Sequence, residues 1–518
     1  MRPRRTIYVG TQPPPATAID WVLEPAARVA LDDAVAVPDM QELKRLLEAA
    51  APVLDDLCSE PAAALLRDEF RQLMLSVARA EATVRAFDGS DECEVVHSPR
   101  LSRPSRPGRL AEGLATILDA DLVRRGPPRP RRFPAGAVGR ARALRWSRGR
   151  PDPNPRPIVL AVGGPSEKRA LAPVLDHLDP GSAQMLDFGL DPDPELASFG
   201  SFLTARKALG GVGSGALVSR SAEIWGSHDW WGRRWLPWVR PSLTAMANIT
   251  LREAVLFREA ARRGLGESRV LLTAKVRFAR ARAILTAAAD LGIVTIGMQH
   301  GIYVAGLEWT DIRTDVFAVT GASFERILHH GGYRGDIRAA GAPFFSAPDR
   351  SWDCGIALQP PEGVVITSAA DYARHAGVAH DTARKVLGES ATIGFRLHPR
   401  EDPKALRRVV GAGPPVSRDP AQGAAIWISI ESSFVAEAAL SGAQVVLLNL
   451  NDHPWEYPFA AMPGSRVATS ARELGDLLES MSTDPTAPDI DAWRREFAVA
   501  TGDEAAAAIA DIVREVLG

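Results

Sequence analysis

From residue 157 onward, short apolar runs alternate with amphipathic stretches. The runs at 157–162, 270–272, 293–298, 316–319 and 336–339 read as strands. Between them, 167–178, 251–263, 277–291 and 323–330 carry apolar residues at three- and four-residue spacing, the period of a helix buried along one face. Short apolar strands separated by helices point to βα units on a parallel sheet. Gly341-Ala342-Pro343 and the polar stretch to Pro361 read as a hinge. Beyond it the alternation restarts, with strands at 363–367, 392–397, 425–430, 444–448 and 466–469 and helices at 371–387, 402–410, 432–441 and 471–480. Two further helices are expected at 490–499 and 503–516. The fold class is therefore α/β, with two Rossmann-like lobes facing a cleft.

Residues 1–125 are mixed, with a strand at 6–9 and helices at 40–57 and 61–86. Residues 97–156 differ, because SPRLSRPSRPGR, RRGPPRPRRFP and RGRPDPNPRP are rich in Arg, Pro and Gly. Proline blocks helix interiors and sheet ladders, so this region reads as linker or surface loop. Its clustered arginines would also suit an anionic lipid surface. The expected organisation is an N-terminal accessory segment, α/β or helical, over 1–150. An acceptor-side domain follows over 151–343, then a second Rossmann-like domain over 344–485 and terminal helices over 486–518.

Composition narrows the function classes. A chain of 518 residues has room for about three domains. A net charge of −2 gives no reason to expect nucleic acid as a partner. The three cysteines, Cys58, Cys93 and Cys354, are scattered and form no Cys/His cluster, so neither a disulfide frame nor a structural zinc site is expected. A reducing compartment fits that usage. No signal-peptide pattern and no run of about 18 apolar residues occurs, so the expectation is a cytoplasmic protein that meets a membrane only at its inner face.

In open parallel sheets ligands bind beyond the carboxyl ends of the strands. Four predicted strand ends carry polar or glycine-rich elements. Gly163 and Gly164, followed by Glu167 and Lys168, end the first strand of the 151–343 domain and would line the acceptor side. Gln299, His300 and Gly301 follow strand 293–298. Gly301 permits a tight turn, and His300 reads either as a structural histidine or as a general base. Glu167 is a second candidate base. Arg396, His398, Pro399 and Arg400 end strand 392–397, where the arginines suit phosphate oxygens. Ser432 and Ser433 open the helix after strand 425–430; serine is a preferred N-cap, yet a helix N-terminus also suits a phosphate. Glu437 lies one turn on, on the face of Ser433, where its carboxylate could take ribose hydroxyls.

The segment WGSHDWWGRRWLPW at 225–238 reads either as a buried wall or as a surface for sugar stacking or a membrane interface. Under the second reading Trp230 and Trp231 belong to the acceptor side, and His228 and Asp229 are minor acid/base candidates.

Together, QHG after a strand, the GAP boundary, the HPRE turn and SIESSFVAEAALSGAQVVLL resemble the bacterial surface-polysaccharide glycosyltransferases of GT-B fold. That group includes Kdo-transferring capsule, polysialyltransferase-like and glycerophosphotransferase families. The resemblance covers roughly residues 265–480. It implies donor or nucleotide contacts at His398, Pro399, Ser432, Ser433 and Glu437, to which the strand-end reading adds Gln299, Gly301, Arg396 and Arg400, with 344–485 as the nucleotide-sugar-binding domain. It further implies transfer from a nucleotide-activated sugar, CMP-linked by preference, to a glycan or lipid-linked acceptor, with no cofactor and no metal. The acidic pair followed by glycine found in the sialyltransferase families has no counterpart here. A nucleotide-sugar 2-epimerase or glycerophosphotransferase of the same fold, or a non-catalytic binding or scaffold protein, are the alternatives.

Overall fold

The computed structural model describes residues 5–9, 21–22, 40–59, 61–87, 93–97, 106–124, 156–162, 165–187, 214–246, 251–277, 279–301, 309, 311–345, 349–358, 369–397, 406–407, 410–411, 413–417, 422–430, 432, 434–450, 458–485 and 488–518. These form three parallel sheets. The first joins β1 (Arg5–Val9), β2 (Trp21–Val22), β3 (Cys93–His97) and β4 (Asp121–Arg124) in the order β2-β1-β3-β4. The second joins β5 (Ile158–Val162), β6 (Ala183–Asp187), β7 (Val270–Thr273), β8 (Val294–Met298), β9 (Val316–Val319) and β10 (Asp336–Ala339) in the order β6-β5-β7-β8-β9-β10. The third joins β11 (Asp349–Leu358), β12 (Ile393–Arg396), β13 (Val416–Ser417), β14 (Gln422–Ile430), β15 (Gln444–Leu448) and β16 (Ser465–Ala468) in the order β13-β12-β11-β14-β15-β16.

The α/β expectation is met: two Rossmann-like lobes with an additional N-terminal α/β unit. All four residues of β7 and all five of β15 are buried, as strands covered by helices on both faces must be. In each six-stranded sheet the strand order reverses at one point. The reversal falls between β5 and β7 in the second sheet and between β11 and β14 in the third. At such points the loops diverge and leave a crevice for ligand.

Several elements depart from the pattern-based reading. The stretch read as a polar hinge contains β11, the strand on which the third sheet's reversal is built. Asp349, Arg350 and Asp353 disguise it, and its register shifts between Arg350 and Trp352. Trp352, Cys354 and Ile356 are nonetheless buried, and Asp353 Oδ2 accepts the Thr392 N–H at 2.7 Å. The region read as a linker holds the helix Arg106–Ile117 and β4. Pro107 is tolerated there because it stands in the first turn, where its missing N–H has no partner to lose. The single helix expected over 61–86 is divided into Pro61–Ala64 and Arg67–Phe87. The strand expected at 363–367 lies outside the described residues, as does most of the helix expected at 402–410.

The first unit shares one hydrophobic core with the second sheet. Leu54, Phe70, Met74 and Val95 belong to the same cluster as Trp235, Ile284 and Phe317. The helix Arg67–Phe87 is the joint, with both ends of its carboxylate Glu81 engaged. Glu81 Oε2 accepts from Trp235 Nε1 at 3.0 Å and Arg234 Nη2 at 2.6 Å, and Oε1 accepts from Arg85 Nε at 3.0 Å. Glu81→Gln keeps the shape and loses the charge. It is expected to cost about 1–2 kcal/mol, visible as a lower denaturation midpoint at unchanged slope.

The two six-stranded lobes are joined by two crossings of the chain. The helix Ile490–Phe497 gives Trp493 and Phe497 to the core of the third sheet. The helix Gly502–Leu517 returns to the second sheet, where Ala506, Ile509 and Val513 pack with Ile158, Leu160 and Val270. The outward crossing at 340–342 and the return at 498–502 run side by side. Ala342 N donates to Ala500 O at 2.8 Å, Gly502 N donates to Ala342 O at 3.2 Å, and Ala342 and Thr501 form a parallel bridge. Gly341 has φ +92°, and a Cβ there would stand 2.3 Å from Ala500 O.

Candidate functional site

The reversal of the second sheet collects three charged or titratable side chains from three neighbouring strand ends. The helix Pro165–Asp176 starts after β5, and Glu167 lies in its first turn, where the helix dipole favours a carboxylate. Lys275 follows β7, held by Thr273, whose Oγ1 donates to Ala161 O at 3.0 Å and accepts from Lys275 N at 3.2 Å. His300 follows β8. Lys275 Nζ lies 3.0 Å from Glu167 Oε1, and His300 Nε2 lies 3.7 Å from the same oxygen. Only 3% of the Glu167 side chain is exposed, against 25% for Lys275 and 22% for His300.

These surroundings set the protonation states. Burial pushes the Glu167 pKa up, but Lys275 and His300 outweigh it and hold the carboxyl below its usual range. Burial pushes the His300 pKa down, to about 4, with Lys275 and Arg277 reinforcing it against the Glu167 charge and a hydrogen bond to the Ala274 backbone. At neutral pH the cluster therefore presents a neutral imidazole beside an ionised carboxylate, with Lys275 Nζ against the same carboxylate oxygen. A neutral imidazole can accept a proton, and the carboxylate stabilises the imidazolium that results. Sequence reasoning brought Glu167 and His300 forward but passed over Lys275. The strand-end rule that found the others applies equally to the residues after β7.

Lys168, the neighbour of Glu167, is exposed, and the cation beside Glu167 is Lys275 instead. Gln299 is buried, and its side chain is committed within the lobe. Its Oε1 accepts from Thr320 N and Thr320 Oγ1, each at 2.9 Å, and its Nε2 donates to Gly301 O at 2.7 Å. Gly301 takes part as the acceptor that closes this turn over His300.

Trp230 and Trp231 turn their N–H groups inward, to Trp225 O and Leu46 O, both at 2.9 Å. Trp225 packs edge-on to Trp230 with centroids 4.8 Å apart. Of the two readings of the tryptophan run, these contacts are those of a wall between the first unit and the second sheet. His228 Nε2 lies 2.8 Å from Asp56 Oδ2, again across that joint.

In the third sheet Arg396 ends β12 and Glu437 lies on the helix Phe434–Leu440, which follows β14. The Arg396 guanidinium stacks 3.7 Å above the Phe434 ring, and its Nη2 lies 3.4 Å from Glu437 Oε2. Ser432 is buried; its Oγ accepts from Phe434 N at 3.4 Å, and Ser429 Oγ donates to Ser432 O at 3.2 Å. Arg396, Ser432 and Glu437 therefore gather around Phe434, beside the reversal of the third sheet. Gly163, Gly164, His398, Pro399, Arg400 and Ser433 lie outside the described residues. Among the described residues, no group of three His, Cys, Asp or Glu side chains is placed to hold a metal ion. No described helix is long and apolar enough to cross a membrane.

No protein-family model matches this sequence, and no curated protein does. Among solved structures, similarity extends to a putative UDP-N-acetylglucosamine 2-epimerase from Listeria monocytogenes, with 10% identity, TM-score 0.40 and coverage of 68% of this chain and 94% of that one. MurG from Acinetobacter baumannii gives 11% identity and TM-score 0.38, covering 70% of this chain and 100% of that one. The wall teichoic acid polymerase TagF gives 10% identity and TM-score 0.39, covering 73% and 93%.

Proposed function

We propose that this chain is a metal-independent glycosyltransferase of GT-B type. It would move a sugar from a nucleotide-activated donor, CMP-linked by preference, to a hydroxyl of a glycan or lipid-linked acceptor in surface-polysaccharide synthesis. The observation that carries the proposal is the neutral His300 held beside the ionised Glu167 at the reversal of the second sheet. In this reading the acceptor oxygen attacks the anomeric carbon and His300 takes its proton. The bond from that carbon to the nucleotide phosphate breaks, and the phosphate leaves with the bonding electron pair. Arg396, Ser432 and Ser433, with His398 and Arg400, supply donors to that phosphate, Pro399 holds the His398 turn in extended geometry, and Glu437 takes the ribose hydroxyls. Gly163, Gly164 and Glu167 line the acceptor side. The protein works in the cytoplasm, at the inner membrane face where its acceptor is lipid-linked.

Titration calorimetry with CMP, CDP, UDP and GDP tests the donor half. A cytidine nucleotide is expected to bind best, and the double variant Ser432→Ala/Ser433→Ala to weaken it at least about ten-fold, the loss of about 1.4 kcal/mol. Preference for UDP or GDP would remove the CMP assignment, and no binding at millimolar nucleotide would sink the transferase reading. Incubating the donor sugar without acceptor gives a second check, since conversion of the sugar itself would mark an epimerase.

A further inference from the structure

Gln299 joins the His300 turn to the crossing between lobes. Its backbone N–H extends the β8–β9 ladder by donating to Ala318 O at 3.0 Å. Its side chain then grips Thr320 through Oε1 and Gly301 through Nε2. The amide orientation is fixed by chemistry, because Thr320 N can only donate, so the oxygen must face it and the NH2 must face the Gly301 carbonyl. Gln299 and Thr320 are both buried. Thr320 in turn accepts from Val499 N at 2.9 Å, on the return crossing. Next to Thr320, Gly321 lies so close to the backbone of Glu496 and Phe497 that a Cβ would come within 2.6 Å of it. Phe497 belongs to the core of the third sheet. An unbroken series of short contacts thus leads from the His300 turn through Gln299, Thr320 and Val499 to the third-sheet lobe.

We propose that Gln299 is a positioning residue that makes the place of His300 depend on the disposition of the lobes. The inference rests on the transferase reading for its purpose and on the hydrogen bonds alone for its existence. When nucleotide draws the third-sheet lobe about the crossings, Val499 carries Thr320 with it. Gln299, held to Thr320 by two hydrogen bonds, then carries the turn that bears His300. A buried polar linkage of this kind shifts as a unit, because breaking one member leaves its partners unpaired in the interior. The proton acceptor would then be set in place only when a donor is bound, which limits hydrolysis of the donor by water.

The test compares wild type with Gln299→Met, which keeps the length of the side chain and loses its hydrogen bonds, and with Gln299→Glu, which keeps the acceptor. The first arm needs no ligand. Amide hydrogen exchange at Val499, whose N–H never touches Gln299, is expected to speed up at least ten-fold in Gln299→Met and less in Gln299→Glu. Exchange at Val499 unchanged in Gln299→Met would overturn the linkage. In the second arm, the His300 ring resonance is followed in histidine-labelled protein as CMP or UDP is added. Wild type is expected to shift on saturation. Gln299→Met is expected to bind the nucleotide with unchanged affinity, leave the His300 resonance in place and lower kcat about ten-fold at unchanged KM. An equal shift of His300 in both proteins would overturn the coupling. Failure of wild type to bind any nucleotide would sink the transferase reading, while the exchange at Val499 would still decide the linkage.

Discussion

His300→Ala is expected to lower kcat for sugar transfer by about 10²- to 10⁴-fold, the range for loss of a positioned general base. Nucleotide affinity should hardly change, because His300 sits on the second sheet and the nucleotide is assigned to the third. The pH profile identifies the group. His300 has its pKa depressed, from 6.5 to about 4, so it stays neutral and able to accept a proton well below the usual histidine range. The acid limb of kcat/KM is therefore expected near pH 4. A limb near pH 6.5 would point to another base. Glu167→Gln removes the charge that opposes the depression and should push the limb lower still. Stability follows the same shift. Below about pH 6.5 the unfolded chain binds this proton and the folded chain does not, so stability falls as pH drops from about 6.5 toward 4. Glu167, depressed in its turn, contributes stability above its unfolded value near 4.5 that is lost as pH falls through its folded pKa.

Gly341→Ala is expected to be the most destabilising single substitution considered, at about 3–5 kcal/mol. Two costs coincide there. A left-handed φ of +92° strains any side chain, and the added Cβ would meet a backbone oxygen of the return crossing that is itself hydrogen-bonded to Ala342. Gly332 separates the two. Its φ is +76°, yet nothing lies within 4 Å of where its Cβ would be, so Gly332→Ala should show the backbone cost alone, about 1–2 kcal/mol. Chemical denaturation of both variants measures the difference. Equal losses would mean that the crossings shift apart without resistance.

Where burial is two-sided the chain announces its strands. β7, β8, β9 and β15 are apolar nearly throughout, and flanking helices keep them so, which made the βα alternation readable. Where an element opens on charged residues or proline, the signal is mixed. β11 opens with Asp349 and Arg350 before Trp352 enters the core, and its opening resembles a loop. The helix Arg106–Ile117 begins inside a run of Arg, Pro and Gly and declares itself only from Leu110 on. The candidate site was half legible. Parallel strands put their carboxyl ends along one edge, so residues far apart in sequence, such as Glu167 and His300, could be predicted to meet. The direction in which a side chain turns is decided by packing. For that reason the strand-end position of Gln299 does not reveal that its side-chain oxygen faces Thr320. Likewise the sequence does not show that the indole N–H of Trp231 turns to Leu46 O in the first unit and that of Trp230 to Trp225 O.

The return of the helix Gly502–Leu517 to the second sheet has a consequence for the birth of the protein. Leu160 and Val270 emerge from the ribosome long before Ile509 and Val513, their partners in the core. Until residues 502–517 have been synthesised, the lobe carrying Glu167, Lys275 and His300 must wait with an apolar face uncovered while the whole third-sheet lobe is made. That interval, set by the rate of translation, is when the nascent chain most needs shielding from its neighbours. A stop codon after Thr501 would remove no proposed catalytic group and yet leave the earlier lobe permanently unfinished.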